Sequence, residues 1–559
     1  MFPKCTRKYF MVNYNKTIRG TKLRTFMAKL LFFQESPLYE ALGIHAIAGA
    51  LKSAGHTCEV VIESEEKDLR QAILDSQPSM IAFSIMTRQQ EWAIFRLNRI
   101  KAVFPEIPII IGGTHPTMYP ETLKHCEADY LCVGEGELPI VELLTALSNS
   151  GRTDNIPNIH AKINGQIFCN DVRPLLQTWD TLAFPDRTTY KRYPFLADLP
   201  LKRFITSFGC AYKCSFCYIN NFREAYKGKG KFYRRKSVTR VLEEMSQTRT
   251  VGRMERIHFV DDLFSFDKRW LREFLPRYKS EIGIPWSANV WIDHMDKEMV
   301  DLFRDNCCVG VTFGVESGNE ETRNNILDKP LLNATYIKHC QYLYEANIHF
   351  HTGNIIGLPG EGLDKAYETA RFNRKIKTTS SRAALFWPFP GTNLADYAKD
   401  IGVLSSDYSP DAMNSAELIN QGHYARVEHK QAEELIVMAS LFQAVAKWGW
   451  FDWLSQYFLK RPKNPIVKII ALLVEQSFWY SEAKFFGMLN WKGVMYYRHV
   501  RKSLRNIRAH DKRPHLDDIL MERSDRLEED SRGQRWFWGM GRKDIERVYK
   551  SGTSRDGIT

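Results

Sequence analysis

The sequence predicts an α/β protein: a doubly wound, Rossmann-like amino-terminal domain, then a partial (β/α)6 barrel, then a mostly helical region at the carboxyl end. Three observations carry this. Short apolar runs alternate with amphipathic stretches over 27–148, the alternation resumes over 201–400, and beyond 400 strand signals fade while aromatic residues accumulate. Parallel strands buried on both faces read as continuous apolar runs, with helices as crossovers between them. A composition 44% apolar and 26% charged excludes collagenous, coiled-coil and disordered chains.

Taken in order, residues 1–26 form a basic extension with no apolar run leading to a small-residue cleavage site, so no secretory signal is expected. Strands are expected at Lys29–Phe33, Thr57–Ile62, Met80–Ile85, Ile107–Gly112 and Tyr130–Val133, with helices at Leu38–Ala54, Asp68–Ser76 and Gln90–Val103. Residues 149–200 are rich in turn formers and are expected to be a connector. Barrel strands are expected at Phe204–Ser207, Arg256–Val260, Trp286–Val290, Val309–Val315, His349–Ile356 and Arg382–Phe386. Chemistry in such a barrel sits at the carboxyl ends of the strands. Residues 401–559 form the helical, aromatic-rich region. The apolar run Ile466 to Val474 is interrupted by Lys468 and too short to span a bilayer, so the expected location is the cytoplasm. Eleven cysteines among 559 residues are too dilute for a disulfide scaffold and fit a reducing compartment.

The strongest chemical signal is the run CAYKCSFC, with Cys210, Cys214 and Cys217 in the loop after the first barrel strand. A structural zinc site takes four ligands, and no nearby Cys or His pair completes one. Three thiolates on a 4Fe–4S cluster would leave one iron open to a small molecule. The run resembles the radical S-adenosylmethionine (SAM) superfamily, whose CxxxCxΦC hallmark has an aromatic where Phe216 stands. The resemblance implies a 4Fe–4S cluster and SAM, and an external electron donor such as flavodoxin or ferredoxin. It also implies SAM contacts from Asp261 and Asp262 after the second strand and from Glu316 and Ser317 after the fourth. Asn354 and Gly357, in a near match to the GxIxGxxE element, would lie beside the adenine.

At the expected strand ends of the amino-terminal domain stand Ser84 to Thr87, Gly112, Gly113, His115, and the run Gly134, Glu135, Gly136, Glu137. Small residues there let a backbone approach a large flat ligand. Ahead of a radical SAM barrel, these loops resemble the cobalamin-dependent radical SAM class, which implies that they contact cobalamin. In that class a DxHxxG loop often supplies a cobalt ligand. Here Leu38 and Glu40 replace its Asp and His, which implies cobalamin without a protein imidazole.

The resemblance implies a C-methyltransferase acting on an unactivated carbon, in which a 5′-deoxyadenosyl radical opens the substrate and methylcobalamin supplies the methyl group. Radical cyclisation is the alternative within the same architecture. A tRNA-modifying methylthiotransferase is the weaker alternative, because the amino-terminal cysteines Cys5, Cys58, Cys126 and Cys132 do not match the spacing for a second cluster; nucleic acid is not the expected partner despite a net charge of +13. The expected substrate is a small molecule, lipid-like molecule or peptide, and a monomer is expected. Seven of thirteen tryptophans fall between 448 and 538, beside the basic tract 498–508. The favoured reading is a helical cap whose aromatics pack on the barrel mouth; the alternative is a peripheral membrane contact.

Overall fold

The structure, a computed structural model, describes residues 27–406, 408, 430–489 and 493–500. The first sheet holds β1 (Lys29–Gln34), β2 (Thr57–Ile62), β3 (Met80–Ser84), β4 (Ile109–Gly112), β5 (Tyr130–Cys132), β6 (Ile159–Ile163) and β7 (Gln166–Phe168), in the order β2-β1-β3-β4-β5-β6-β7. Its first five strands are parallel. Side chains of successive residues alternate between faces, so Leu30 and Phe32 join one buried cluster while Leu31 and Phe33 join the other. The strand order reverses between β1 and β3, and ligands of doubly wound sheets settle in the crevice at that point.

The expected connector carries β6 and β7, which continue the sheet antiparallel to β5. The cause is visible in the sequence: Asn164 and Gly165 both have positive φ, at 50° and 80°. Asn-Gly is the favoured dipeptide for a tight hairpin turn. The first helix also differs, starting at Leu42 rather than Leu38. The Gln34 side chain donates to the carbonyls of Ser36 and Tyr39, at 2.6 and 3.0 Å, and holds that stretch as a loop.

The second sheet contains β8 (Leu201–Phe204), β11 (Arg256–Phe259), β12 (Trp286–Asn289), β13 (Cys308–Glu316), β14 (His349–Ile356) and β15 (Ser380–Leu385). All pair in parallel, in the order β15-β14-β13-β12-β11-β8, so the barrel is partial and its two edge strands do not meet. Between β8 and β11, β9 (Ser207–Phe208) and β10 (Arg234–Arg235) pair as a short antiparallel ribbon. The first barrel strand lies earlier than expected because Asp261 takes the backbone N–H of Thr206 instead.

Helices Ala432–Lys447, Phe451–Leu459 and Pro465–Phe485 follow the barrel, and the first packs on β15 and on helix Leu363–Lys375. Their aromatics divide: Phe486 and Phe478 pack against His258 and His351 of the barrel strands, and the Phe485 ring lies against Gly310, whereas several tryptophans face outward. Trp448, Trp450 and Trp453 are exposed, while Leu441, Phe442 and Val445 supply the buried contacts. Most of the tract 498–508, with Trp491, Trp536 and Trp538, lies outside the described residues.

Candidate active site

The carboxyl ends of β1, β3, β4 and β5 open onto a cavity of about 350 Å³. Phe32, Ser84, Gly112, Gly113 and Gly134 to Glu137 form one wall, and Gly43, Ala46, Ile47 and Ala50 of helix Leu42–Ser53 form the floor. Two glycines make the loops what they are. Gly113 has φ +99°, and a Cβ there would stand 2.7 Å from the Ile85 carbonyl oxygen. Gly134 has φ +79°, and its Cβ would stand 1.9 Å from the Tyr226 hydroxyl. Only glycine tolerates both conditions. Among the expected contacts on this side, Ser84, Gly112, Gly113 and Gly134 to Glu137 line the cavity, whereas Thr87 and His115 do not. His115 is fully buried, with Nε2 3.2 Å from Thr122 Oγ1 and its ring against Tyr119. Burial pushes the Glu137 carboxyl up to about 6, with Glu135 adding to the effect.

The opposite wall comes from residues that pattern reading passed over. Trp179, Leu182, Ala183, Pro185 and Arg187 descend from the connector. Ile205, Phe208, Tyr218, Phe222, Lys236, Arg240 and Glu244 come from the barrel. Charge is partly matched there: Lys236 Nζ sits 2.6 Å and Arg187 3.8 Å from Glu244, and Arg234 donates to Glu135 at 2.5 Å. Arg240 is different. It is 8% exposed, lies flat on the Phe184 ring at 3.5 Å, and its Nε has no partner. Arg187 Nε and Nη1 are likewise buried and unpartnered. An unsatisfied buried charge is expensive, so guanidinium donors left open on a cavity wall fit a ligand rich in acceptor oxygens.

No histidine lines this cavity among the described residues. Glu40, where the resemblance would put the cobalt ligand, is 3.4 Å from Lys202 Nζ. His45 is buried with Nδ1 2.9 Å from the Asp186 carbonyl, and burial holds its pKa well below the usual value. Glycine-opened loops, apolar walls and amide-binding donors suit a corrinoid, and they supply no imidazole to its metal.

Beside this cavity runs the cysteine loop, and the chain passes from one to the other within a single residue: Tyr218, a wall residue, follows Cys217. The loop is fastened through its backbone. Arg223 donates to the carbonyls of Cys210 and Tyr212, Asn220 Nδ2 to that of Cys214 at 3.0 Å, and Ser215 Oγ to that of Ile326 at 2.6 Å. Tyr212 stacks on Trp291 with ring centroids 3.7 Å apart. Burial raises the Cys210 thiol and pushes Cys214 up to about 12 and Cys217 to about 11, and Lys329 works against this at Cys214. No three Cys, His, Asp or Glu among the described residues converge on one ion. Three separate thiols on one braced loop suit a cluster, whose irons are themselves separate. Phe216 is half-buried and packs between two hydrophobic clusters.

Of the expected SAM contacts, some are free to serve and others are already engaged. Asp261 is fully buried and accepts from Thr206 N, Thr206 Oγ1 and Ser207 Oγ, at 3.1, 2.6 and 2.5 Å. Through these bonds it braces the start of the loop. Asp262 is exposed and accepts the Gly209 N–H at 3.1 Å. Glu316 has φ +63°, and strain of that kind at a strand end is a mark of functional sites. Its Oε1 accepts from Lys329 Nζ at 3.0 Å. Burial opposes the Lys329 charge, but Glu316 more than offsets it. Ser317 and Asn354 turn inward: Ser317 Oγ meets Glu361 at 3.4 Å, and Asn354 Nδ2 donates to the Arg382 carbonyl at 3.0 Å. Gly357 sits in a turn with φ +68°.

With this geometry in place, comparison with known proteins is informative. The family model described as the B12 binding domain matches residues 37–144, and that of the radical SAM superfamily matches 204–372. An uncharacterized methyltransferase of Pyrococcus horikoshii, PH0819, is 27% identical over 335 residues, covering 59% of this chain and 72% of its own length. The anaerobic magnesium-protoporphyrin IX monomethyl ester cyclase of Rubrivivax gelatinosus is 24% identical over 405 residues, 67% of this chain and 71% of its own. The cobalamin-dependent SAM radical enzyme OxsB, solved with aqua-cobalamin and SAM bound, superposes with a TM-score of 0.58 at 14% identity, over 94% of this chain and 84% of its own. That likeness shows a shared fold. The chain joins a B12-binding domain to a radical SAM domain and belongs with the cobalamin-dependent radical SAM enzymes, whose cofactors are a 4Fe–4S cluster, SAM and cobalamin.

Proposed function

We propose that the protein is a C-methyltransferase acting on an unactivated carbon of a small-molecule substrate. The observation that carries this is the position of the cavity, walled by the B12-binding domain on one side and on the other by residues that continue directly from the cysteine loop. Relatives named methyltransferases favour methyl transfer over the cyclisation named for others. When bound, the corrinoid supplies a transferable methyl group and the cluster the electron that opens SAM.

The chain's own residues then have distinct tasks. Cys210, Cys214 and Cys217 hold the cluster, and Arg223, Asn220 and Ser215 keep their loop from relaxing when it is empty. Glu316 and Asp262 offer carboxylates at the barrel mouth, with Lys329 fixing the first. Gly113 and Gly134 admit the corrinoid to the sheet end, and Glu135 and Glu137 lie along its rim. Arg187 of the connector and Arg240 of the barrel would donate to its acceptor oxygens. Apolar Phe208, Phe222 and Leu182 keep water out of the space between. A flavodoxin- or ferredoxin-like protein supplies the electron. Anaerobic reconstitution with iron and sulfide, corrinoid loading, and mass spectrometry of products formed from methyl-labelled SAM test the proposal. Label incorporated at carbon is expected; SAM cleavage with no labelled product from any candidate would overturn methylation in favour of a rearrangement.

A further inference from the structure

Two consecutive helices carry large apolar side chains that nothing among the described residues covers. Trp450, Trp453 and Tyr457 recur at helical spacing along Phe451–Leu459, and Trp453 is 75% exposed. Along Pro465–Phe485 the same spacing brings Ile466, Ile469, Leu473 and Tyr480 onto one face with Leu472 at its margin, each 56–64% exposed. The reverse face of this helix is also apolar, with Val467, Val474, Phe478 and Phe485 buried. A helix with apolar residues on two faces normally covers both, and a contiguous apolar face left in water marks an interaction site.

The surroundings say what the uncovered face meets. Lys460 and Arg461 follow the first helix and Lys468 lies on the second, none ion-paired with an acid among the described residues, and the exposed Glu475 of the second helix accepts from Trp479. The nearby Asp452 is bound to Arg371 and Arg374, and Glu433 to Lys463. Beyond the last described residue the sequence continues with Arg501, Lys502, Arg505 and Arg508. A second copy of the chain is a poor occupant, because a two-fold contact would set these cations against themselves. No helix among the described residues is long and apolar enough to cross a membrane. Indole and phenol rings beside lysine and arginine suit the headgroup layer.

We propose that this face docks on the interfacial layer of an anionic bilayer, with Trp453, Leu472 and Leu473 inserted and Lys460, Arg461 and Lys468 against the headgroups. The docking does not depend on the cofactors. Its consequence for chemistry, a substrate drawn from the membrane, rests on the methyltransferase reading above.

Flotation of the full chain, without added cofactors, tests it using vesicles of phosphatidylcholine alone or mixed with phosphatidylglycerol. The protein is expected to float with the mixed vesicles, to be released by salt, and to show a blue shift of tryptophan emission. Replacing Trp453, Leu472 and Leu473 by Ser should lower the bound fraction roughly tenfold. Because all three side chains are exposed, the variant should retain its unfolding midpoint and its corrinoid uptake. No flotation at low salt overturns the proposal, as does flotation of a folded variant equal to that of the wild type. A solution dimer that the same substitutions dissociate also overturns it, in favour of self-association. None of these results touches the cofactor assignment, which is read separately by corrinoid retention and labelled product.

Discussion

Replacing Arg240 with Met should move stability and cofactor affinity in opposite directions. In the cofactor-free protein, the Arg240 guanidinium is 8% exposed, has an unpartnered Nε, and is pressed on Phe184 at 3.5 Å; burial lowers its pKa. Glu244 offsets only part of the cost of burying this charge and keeps Lys236 as its partner without it, so an apolar side chain of similar length gains about 1–4 kcal/mol. Loss of the cation–π contact removes about 1–2 kcal/mol of this, partly restored by sulfur on the ring. The net expectation is a corrinoid-free variant about 1 kcal/mol more stable than wild type, measured by urea unfolding. If the guanidinium serves the corrinoid, its lost hydrogen bond weakens binding by about 1.5–3 kcal/mol, or roughly ten- to a hundredfold. Equilibrium dialysis with hydroxocobalamin reads that directly. A variant that is less stable when empty and binds hydroxocobalamin as well as wild type would refute the reasoning, since the arginine would then be a structural brace.

Three other substitutions probe separate parts of the site. Cys214→Ala should abolish the visible absorption of the reconstituted cluster and 5′-deoxyadenosine formation, while corrinoid retention stays normal because Cys214 does not line the cavity. Gly113→Ala forces a Cβ to within 2.7 Å of the Ile85 carbonyl at φ +99°, and should cost about 1–3 kcal/mol of stability together with corrinoid uptake. Unchanged uptake would show that the loop can move aside. Glu361 is 5% exposed, and burial raises its carboxyl to about 6. A pKa raised on folding means that stability is greatest below the unfolded value and is lost as pH rises through 6. Glu361→Gln should therefore stabilise the protein above that pH by about 2 kcal/mol and do little at pH 4, by chemical unfolding at both.

What the sequence made legible follows from the range of the interactions concerned. Periodicity is local, so β1 to β5 and the six barrel strands were readable, as were the cysteine loop and the glycine turns at the strand ends. The β6–β7 hairpin was also written in the chain as Asn164-Gly165, but the surrounding turn formers masked it. Asp261 illustrates the harder case. A carboxylate after a barrel strand reads as a ligand contact, and only the partners Thr206 and Ser207 show that it braces the start of the cysteine loop. Arg187, Lys236, Arg240 and Lys329 were passed over because surface arginines and lysines are common, and only burial distinguishes these four. A histidine in a Gly-rich turn reads as a cavity contact, but the His115 ring packs on Tyr119 and does not line the cavity.

The connector explains why the cavity has the shape it does. It is not a linker between two independent domains, because residues 179–189 contact both. Asp186 receives Lys52 at 3.1 Å and donates its backbone N–H to the His45 carbonyl at 2.8 Å, both on the cavity-floor helix. Phe184 presses so closely that a Cβ on Gly49 would stand 2.0 Å from its carbonyl oxygen, so that helix and connector cannot separate without breaking the contact. One residue later, Arg187 crosses to the barrel, donating to the Arg203 carbonyl at 2.8 Å and covering Phe204 at 4.8 Å. On the far side, Tyr226 of the barrel accepts from Glu135 N–H at 3.1 Å and from Asn158 Nδ2 at 3.2 Å. Apart from the exposed Lys52 pair, the side-chain bonds here are buried or half-buried, so sliding the domains would leave several donors unsatisfied at once. The distance between the glycine loops and the cysteine loop is therefore set by the fold before any cofactor arrives. Reactive groups that must approach closely in the absence of water need such a preformed separation.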